Sequence, residues 1–306
     1  MKKLLLGALY LSLAASIWGG MFVVVKVVIA VIPPVQLVWL RYVTALVVLY
    51  FLGRSMKISW KIRRKDWKKL FLIGFVGNTI SIVTQETGTM LSSAQMGSII
   101  TAATPAFMVF FARILLREFF TWQKILSVVL ATSGVVIIVI DPDNLQIVSI
   151  WGGVSLIAAA VTWAIMSVLL KKLPSDYSSV AITFYAVCVP VILLAPYSLW
   201  WLTETADWGM LLTWNVWGSV LYLGIVSTAG GFILWNKGLL LMDASVGGLF
   251  FFFQPIVGTG LGWLFLGETI TELFWLGSLL IVFGVVLAMR GGGQTEDQEA
   301  EAHLVK

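Results

Sequence analysis

Charge is scarce in this sequence. Asp, Glu, Lys and Arg make up 11% of the 306 residues, where a soluble domain carries roughly 25%, so no ordinary water-facing surface can be built from it. Cysteine occurs once. Cys188 excludes an intrachain disulfide and reads as a small packing residue in an apolar run. The one histidine, His303, lies in a polar tail. There is no His, Cys or acidic cluster with metal-ligand spacing, no Gly-rich phosphate loop and no paired acids for a magnesium diphosphate, so the sequence calls for no metal and no cofactor. These absences weaken the alternatives of a membrane-embedded enzyme, a lipid-modifying protein or a non-transporting membrane regulator.

What is abundant is apolar. Hydrophobic residues make up 59% of the chain, and the mean hydropathy is +0.97. A bilayer-spanning helix takes about 20 mostly apolar residues. Segments of that kind fall near 4–31, 35–53, 69–88, 93–115, 123–140, 150–170, 179–202, 213–236, 244–266 and 272–289. They are apolar on every face and lack the alternation of an outer-membrane barrel. The expectation is an all-α integral membrane protein of ten transmembrane helices, with the lipid bilayer as its main partner. The opening MKKLLLGALYLSLAAS imitates a cleavable leader, but the apolar run continues to Ile32 and is expected to stay as helix 1.

Basic residues set the orientation. Arg54, Lys57, Lys61, Arg63, Arg64, Lys65, Lys68 and Lys69 crowd the connection between helices 2 and 3, whereas 32–34 and 88–92 carry no charge. The basic loop belongs in the cytoplasm. Arg113, Arg117, Lys124, Lys171, Lys172 and Arg290 then fall on that side, and Asp141, Asp143, Glu204 and Asp207 fall outside. Both termini are expected to be cytoplasmic. The net charge of +5 follows from this topology and implies no nucleic-acid partner. The tail at 291–306 is polar, acidic and glycine-led, with the composition of a disordered segment.

The chain repeats itself. At an offset of 150, Gly74, Gly88, Leu91, Ala94, Gly97, Pro105, Leu116, Glu118, Thr121 and Gly134 meet Gly224, Gly238, Leu241, Ala244, Gly247, Pro255, Leu266, Glu268, Thr271 and Gly284. At an offset of 145, Gly7, Leu11, Ala14, Ala15, Trp18, Met21, Val23 and Lys26 meet Gly152, Leu156, Ala159, Ala160, Trp163, Met166, Val168 and Lys171. The units are 4–140 and 150–290, with five expected helices each. An odd number makes the second unit enter the membrane from the opposite side, so the two are expected to be inverted. Inverted repeats offer a route to alternating access and hence to moving a small-molecule substrate.

These residues resemble a known family. Trp18-Gly19-Gly20-Met21-Phe22 with Lys26, Arg41, Ala94 through Pro105, Leu116-Arg117-Glu118 and Gly134-Val135 look like the EamA repeat of the drug/metabolite transporter superfamily. Trp163, Gly247, Pro255, Leu266-Gly267-Glu268 and Gly284-Val285 supply the second copy. The resemblance implies a ten-helix basket around a central cavity in a bacterial inner membrane, exporting amino acids or related metabolites. Thr269 stands where the family often has a basic residue. The sequence leaves substrate, direction, coupling ion and a homodimer open.

Candidate residues follow from the cost of polarity in lipid. Lys26, Arg41 and Glu86 are expected within roughly 9 Å of the outer surface. They would form a charged gate, or else the two cations snorkel separately to the headgroups. Trp18, Asn78, Gln85, Gln95, Thr104, Trp163, Asn236 and Gln254 are candidates for a substrate cavity, with helix-to-helix bonding as the alternative for the polar ones. Pro105 and Pro255 are candidate hinges or static kinks in helices 4 and 9.

Overall fold

In hydrocarbon the backbone has only itself to bond, so a segment apolar all round must close its own ladder as a helix. The structure, a computed structural model, describes residues 2–92, 97, 100–101, 103–118, 121–139, 149–266, 272 and 275–289, and among them there are helices and no strand. We label the rods α1 (Lys2–Val28), α2 (Pro34–Ser55), α3 (Trp67–Leu72, Ile73–Ser81 and Ile82–Leu91 end to end), α4 (Thr104–Leu116) and α5 (Trp122–Val139). The second half has α6 (Ile150–Leu170), α7 (Ser179–Glu204), α8 (Trp214–Leu239), α9 (Ala244–Gly248 running on to Leu266) and α10 (Trp275–Met289). Five helices among the described residues are long and apolar enough to cross a membrane: those in Lys2–Val25, Pro34–Ser55, Ile150–Leu170, Ser179–Glu204 and Trp214–Leu239. Large apolar side chains such as Leu9, Phe51, Ile192 and Leu279 point outward. Water would not tolerate such a perimeter; lipid does. The chain is a multi-pass membrane protein. The expected tail at 291–306, with His303, lies outside the described residues.

The two halves interleave. α1 packs on α8 and α9, α6 packs on α3 and α4, and α2 lies between α7 and α8. Glycines make these approaches close, and they do so in reciprocal pairs. A Cβ on Gly88 would meet Leu156 Cγ at 2.6 Å and Gly152 O at 3.0 Å, and one on Gly238 would meet Leu11 Cγ at 2.5 Å and Gly7 O at 3.1 Å. Gly74 lies against Ala186 O and Val189, while Gly224 lies against Arg41 O and Thr44; Gly134 faces Gly277 and Ile281, while Gly284 faces Ser127 and Ala131. In each case, when one residue touches another across the halves, their repeat mates touch as well. That is the contact pattern of a twofold axis.

A second repeated feature is absent from any local sequence pattern. α3 is π-helical over Ile73–Ser81 and α8 over Tyr222–Gly230, nine residues in each case. Long π segments are rare and widen the turn by a residue. Here each carries the glycine that seats it against the other half: Gly74 against α7, Gly224 against α2.

The connection between α2 and α3 is fastened to the turn between α6 and α7. The buried Asp66 accepts from Lys69 Nζ at 3.0 Å and from Tyr177 OH at 2.8 Å. Tyr177 OH in turn accepts from Arg63 N at 3.0 Å, and Lys69 also donates to Lys172 O. The donated bonds from Lys69 and Tyr177 hold the Asp66 carboxyl below its ordinary value of 3.8. A carboxyl lowered by folding stabilises the native state above its unfolded pKa and loses that contribution as pH falls through the folded one. The thermal midpoint in detergent should therefore drop on acidification below about pH 4, and Asp66→Asn should flatten that drop while lowering the midpoint at pH 7. Parallel acid limbs in the two proteins would contradict this role.

Candidate substrate cavity

Trp18 of α1 and Trp163 of α6 are repeat mates, and their rings touch edge to face with centroids 5.3 Å apart. Mates that touch lie on the axis. Around them is a narrow cavity of about 20 Å³, room for little more than one water. Its lining comes largely in mated pairs: Trp18 with Trp163, Ile82 with Phe232, Thr101 with Phe251, and Thr104 with Gln254. Met21, Phe22, Arg41, Gln85, Ala159 and Ala160 complete it. Phe251 stacks on Trp18 at 5.6 Å, and Trp235 packs edge-on against Phe251 at 4.7 Å.

The two indoles differ in their bonding. Trp18 Nε1 donates to Ser227 O at 3.0 Å, while Trp163 Nε1 is buried with no partner among the described residues. The mate of Ser227 is Gly77, whose open side is filled by the Met166 side chain. An unmade buried donor costs about 1–3 kcal/mol. A solute bringing an acceptor would remove that cost.

Beside the aromatic wall lies a buried ion pair. Arg41 Nη1 is 2.7 Å from Glu86 Oε1, and both side chains are 1% exposed. Arg41 Nε donates to Thr228 Oγ1 at 2.9 Å and Nη2 to Ser227 Oγ at 3.1 Å, with Met21 Sδ at 3.4 Å. The guanidinium thus ties α2 to α3 within its own half and to α8 of the other. Glu86 Oε2 has no partner among the described residues. Of the two cations expected near Glu86, Arg41 is in contact with it; the Lys26 side chain lies outside the described residues.

The other expected residues are distributed as follows. Gln85, Thr104 and Gln254 reach the cavity. Asn78 is buried, its carbonyl accepting from Tyr42 OH at 2.8 Å, and it does not line the cavity. Nor does Asn236, whose Nδ2 donates to Thr183 Oγ1 at 2.8 Å. Asn236 is the mate of Glu86, so it bridges α8 to α7 where Glu86 bridges α3 to α2. Gln95 lies outside the described residues. Pro105 sits in the first turn of Thr104–Leu116, after a turn at Ala103. Pro255 follows a 3-10 stretch over Leu249–Phe252. Both sit where a regular ladder has just been interrupted upstream, as a residue without an N–H requires.

Phe232, Phe251, Ser227 and Thr228 contribute to the cavity or the arginine network without having been singled out by sequence, and Met21 was marked only as a repeat and motif residue. One signal could have found the aromatic pair: Phe232 and Phe251 are the mates of Ile82 and Thr101.

Removing one member of a buried ion pair leaves the other charge stranded, at about 3–5 kcal/mol. Arg41→Met and Glu86→Gln should each lower thermal stability in detergent by several degrees, and the double change should lose less than the two losses added. Simple additivity would show that the 2.7 Å contact carries no coupling.

The comparisons agree with this architecture. The model of the EamA-like transporter family matches residues 5–140 and again 150–290. An uncharacterized transporter of Archaeoglobus fulgidus is 28% identical over 283 residues, 92% of this chain and 97% of that one. A protein of Escherichia coli K12 named a probable amino-acid metabolite efflux pump is 25% identical over 291 residues, 91% of this chain and 93% of that one. One solved crystal structure superposes with a TM-score of 0.75 over 95% of this chain and 98% of that one, at 17% identity, and so shares its fold. With a cavity on the axis between two matched repeats, the chain belongs to the EamA-like transporter family.

Proposed function

We propose that the chain exports small solutes, amino acids or related metabolites, across a bacterial inner membrane by alternating access. In this reading it has ten transmembrane helices as two inverted five-helix repeats, with both termini cytoplasmic. The observation that carries it is the cavity on the pseudo-twofold axis, walled by residue mates from both halves. When two inverted halves exchange conformations, a site on their axis stays in place while its opening changes sides.

The walls supply the solute chemistry. Aromatic faces suit an apolar body, and Gln85, Gln254, Thr104 and the unpartnered Trp163 Nε1 suit a solute with hydrogen-bonding groups. The name of the Escherichia coli relative supports amino-acid metabolites as the class. Arg41 and Glu86 act as the outer gate, parting when that side opens. Pro105 and Pro255 mark the breaks about which α4 and α9 swing.

Purified protein in liposomes should show counterflow of at least one radiolabelled amino acid or metabolite from a broad panel. Gln254→Ala and Trp163→Phe should each reduce that flux about tenfold, the latter by deleting the donor while keeping a ring. No protein-dependent exchange for any solute would overturn transport. Topology is checked separately: a reporter after Arg64 should be cytoplasmic and one at Glu204 external. Both on one side would overturn the inverted arrangement.

A further inference from the structure

A second polar cluster lies at the other end of the molecule from Arg41, where α8 turns into α9. Three charged side chains from α4, α5 and α6 converge on four consecutive residues there. Lys171, just past α6, donates to Met242 O at 2.8 Å. Lys124 of α5, 2% exposed, donates to Asp243 Oδ2 at 3.0 Å. Glu118, just past α4, accepts from Ala244 N at 2.9 Å, from Ser245 N at 3.3 Å and from Ser245 Oγ at 2.5 Å. Lys124 Nζ is 3.8 Å from Glu118 Oε2, which joins the contacts into one network. Arg117 delivers Glu118 by adopting the left-handed conformation, φ 61°. A carboxylate on the first N–H groups of α9 also faces the positive end of that helix.

The repeat shows which parts of this network the other half can copy. Glu118 has Glu268 as its mate, Lys171 has Lys26, and Arg117 has Gly267, a residue suited to the left-handed turn. Lys124 and Asp243 have Phe274 and Ser93. The positions mated with Lys124 and Asp243 therefore carry no charge. Two like halves that exchange conformations would populate both states equally. Arg41 and Glu86 have Ala186 and Asn236 as mates, so each end carries an ion pair whose mated positions are uncharged, and each pair favours the states in which its own end stays closed.

We propose that Glu118, Lys124, Lys171 and Asp243 form a latch on the α8–α9 turn. The latch opposes opening of this end, and the Lys124–Asp243 pair is the part of it whose mated positions carry no charge. The inference rests on alternating access, and this end is the cytoplasmic one in the orientation proposed above.

The test uses the full chain in lipid nanodiscs with Cys188→Ser and a single reporter thiol, Val246→Cys, placed on the first turn of α9 where it is 2% exposed. The rate of alkylation by N-ethylmaleimide reads how often the turn lifts. Asp243→Asn and Lys124→Met should each speed labelling about fivefold or more. The double variant, which strands no charge, should be no faster than the faster single. Lys124→Arg should stay near the parent rate. Rates within twofold of the parent in monodisperse Asp243→Asn and double variants would overturn the latch. Counterflow in liposomes separates the two readings: exchange with unchanged labelling rejects the latch and keeps transport. Faster labelling in a protein that exchanges no solute keeps a device that opens this end and rejects transport.

Discussion

A bilayer offers no hydrogen bonds, and most of this structure follows from that constraint. The backbone satisfies itself by coiling. Hydroxyls such as Thr44, Thr89 and Thr183 return to a carbonyl one turn back on their own rod, but larger polar groups reach other rods, and those bonds become the ties that set helix positions. Arg41 is the clearest case. Its three hydrogen-bonding nitrogens reach Glu86, Thr228 and Ser227, so one residue fixes the mutual placement of α2, α3 and α8. Ser81 Oγ on Ala159 O and Trp235 Nε1 on Ser167 Oγ do the same for α3 with α6 and α8 with α6. A buried ion pair is weak evidence for stability in water, where an apolar replacement often does as well. Its three-helix reach is a better reason for its presence here.

Backbone and polar side chains follow different symmetry. The close approaches at Gly74 and Gly224, at Gly88 and Gly238, and at Gly134 and Gly284 obey the twofold relation, and so do the two π segments. The charges do not. Glu86 is mated with Asn236 and Arg41 with Ala186, while Lys124 and Asp243 have Phe274 and Ser93. Packing needs only shape, and shape is conserved between halves by small residues at the contacts. Charge decides how strongly each end is held, so it can diverge without disturbing the frame.

Much of the frame was legible in the sequence, because uniform apolarity and basic loops are themselves consequences of the bilayer. The repeat was legible because Trp, Pro and Glu recur in order. The π segments were not: nothing in IGFVGNTIS or YLGIVSTAG marks an i→i+5 ladder, since the wider turn answers to glycine contacts with helices far away in sequence. Leu116-Arg117-Glu118 was visible as a motif, but its task was not, because the groups Glu118 binds lie 126 and 127 residues away. Phe251 was hidden by its neighbours in a run of four phenylalanines, and Asn236 by its polarity, which serves Thr183 and not the cavity.

The placement of aromatic residues on the axis has a physical reason. A side chain at a twofold axis meets its own mate, so any directional bond it makes to one half is a bond its mate must either copy or forgo. The indoles show both outcomes: Trp18 is bonded to Ser227 O and Trp163 to nothing described. Ring faces and edges are not so exacting. Trp18 and Trp163 each contact Phe232, Trp235 and Phe251, and such contacts hold over ring separations of about 4.5–7 Å and a range of tilts. An axis lined by rings can therefore remain packed while the helices carrying them shift, which a lattice of hydrogen bonds could not do. The cavity joins that tolerant wall to a few fixed donors and acceptors, and the division of labour between them is set by the symmetry itself.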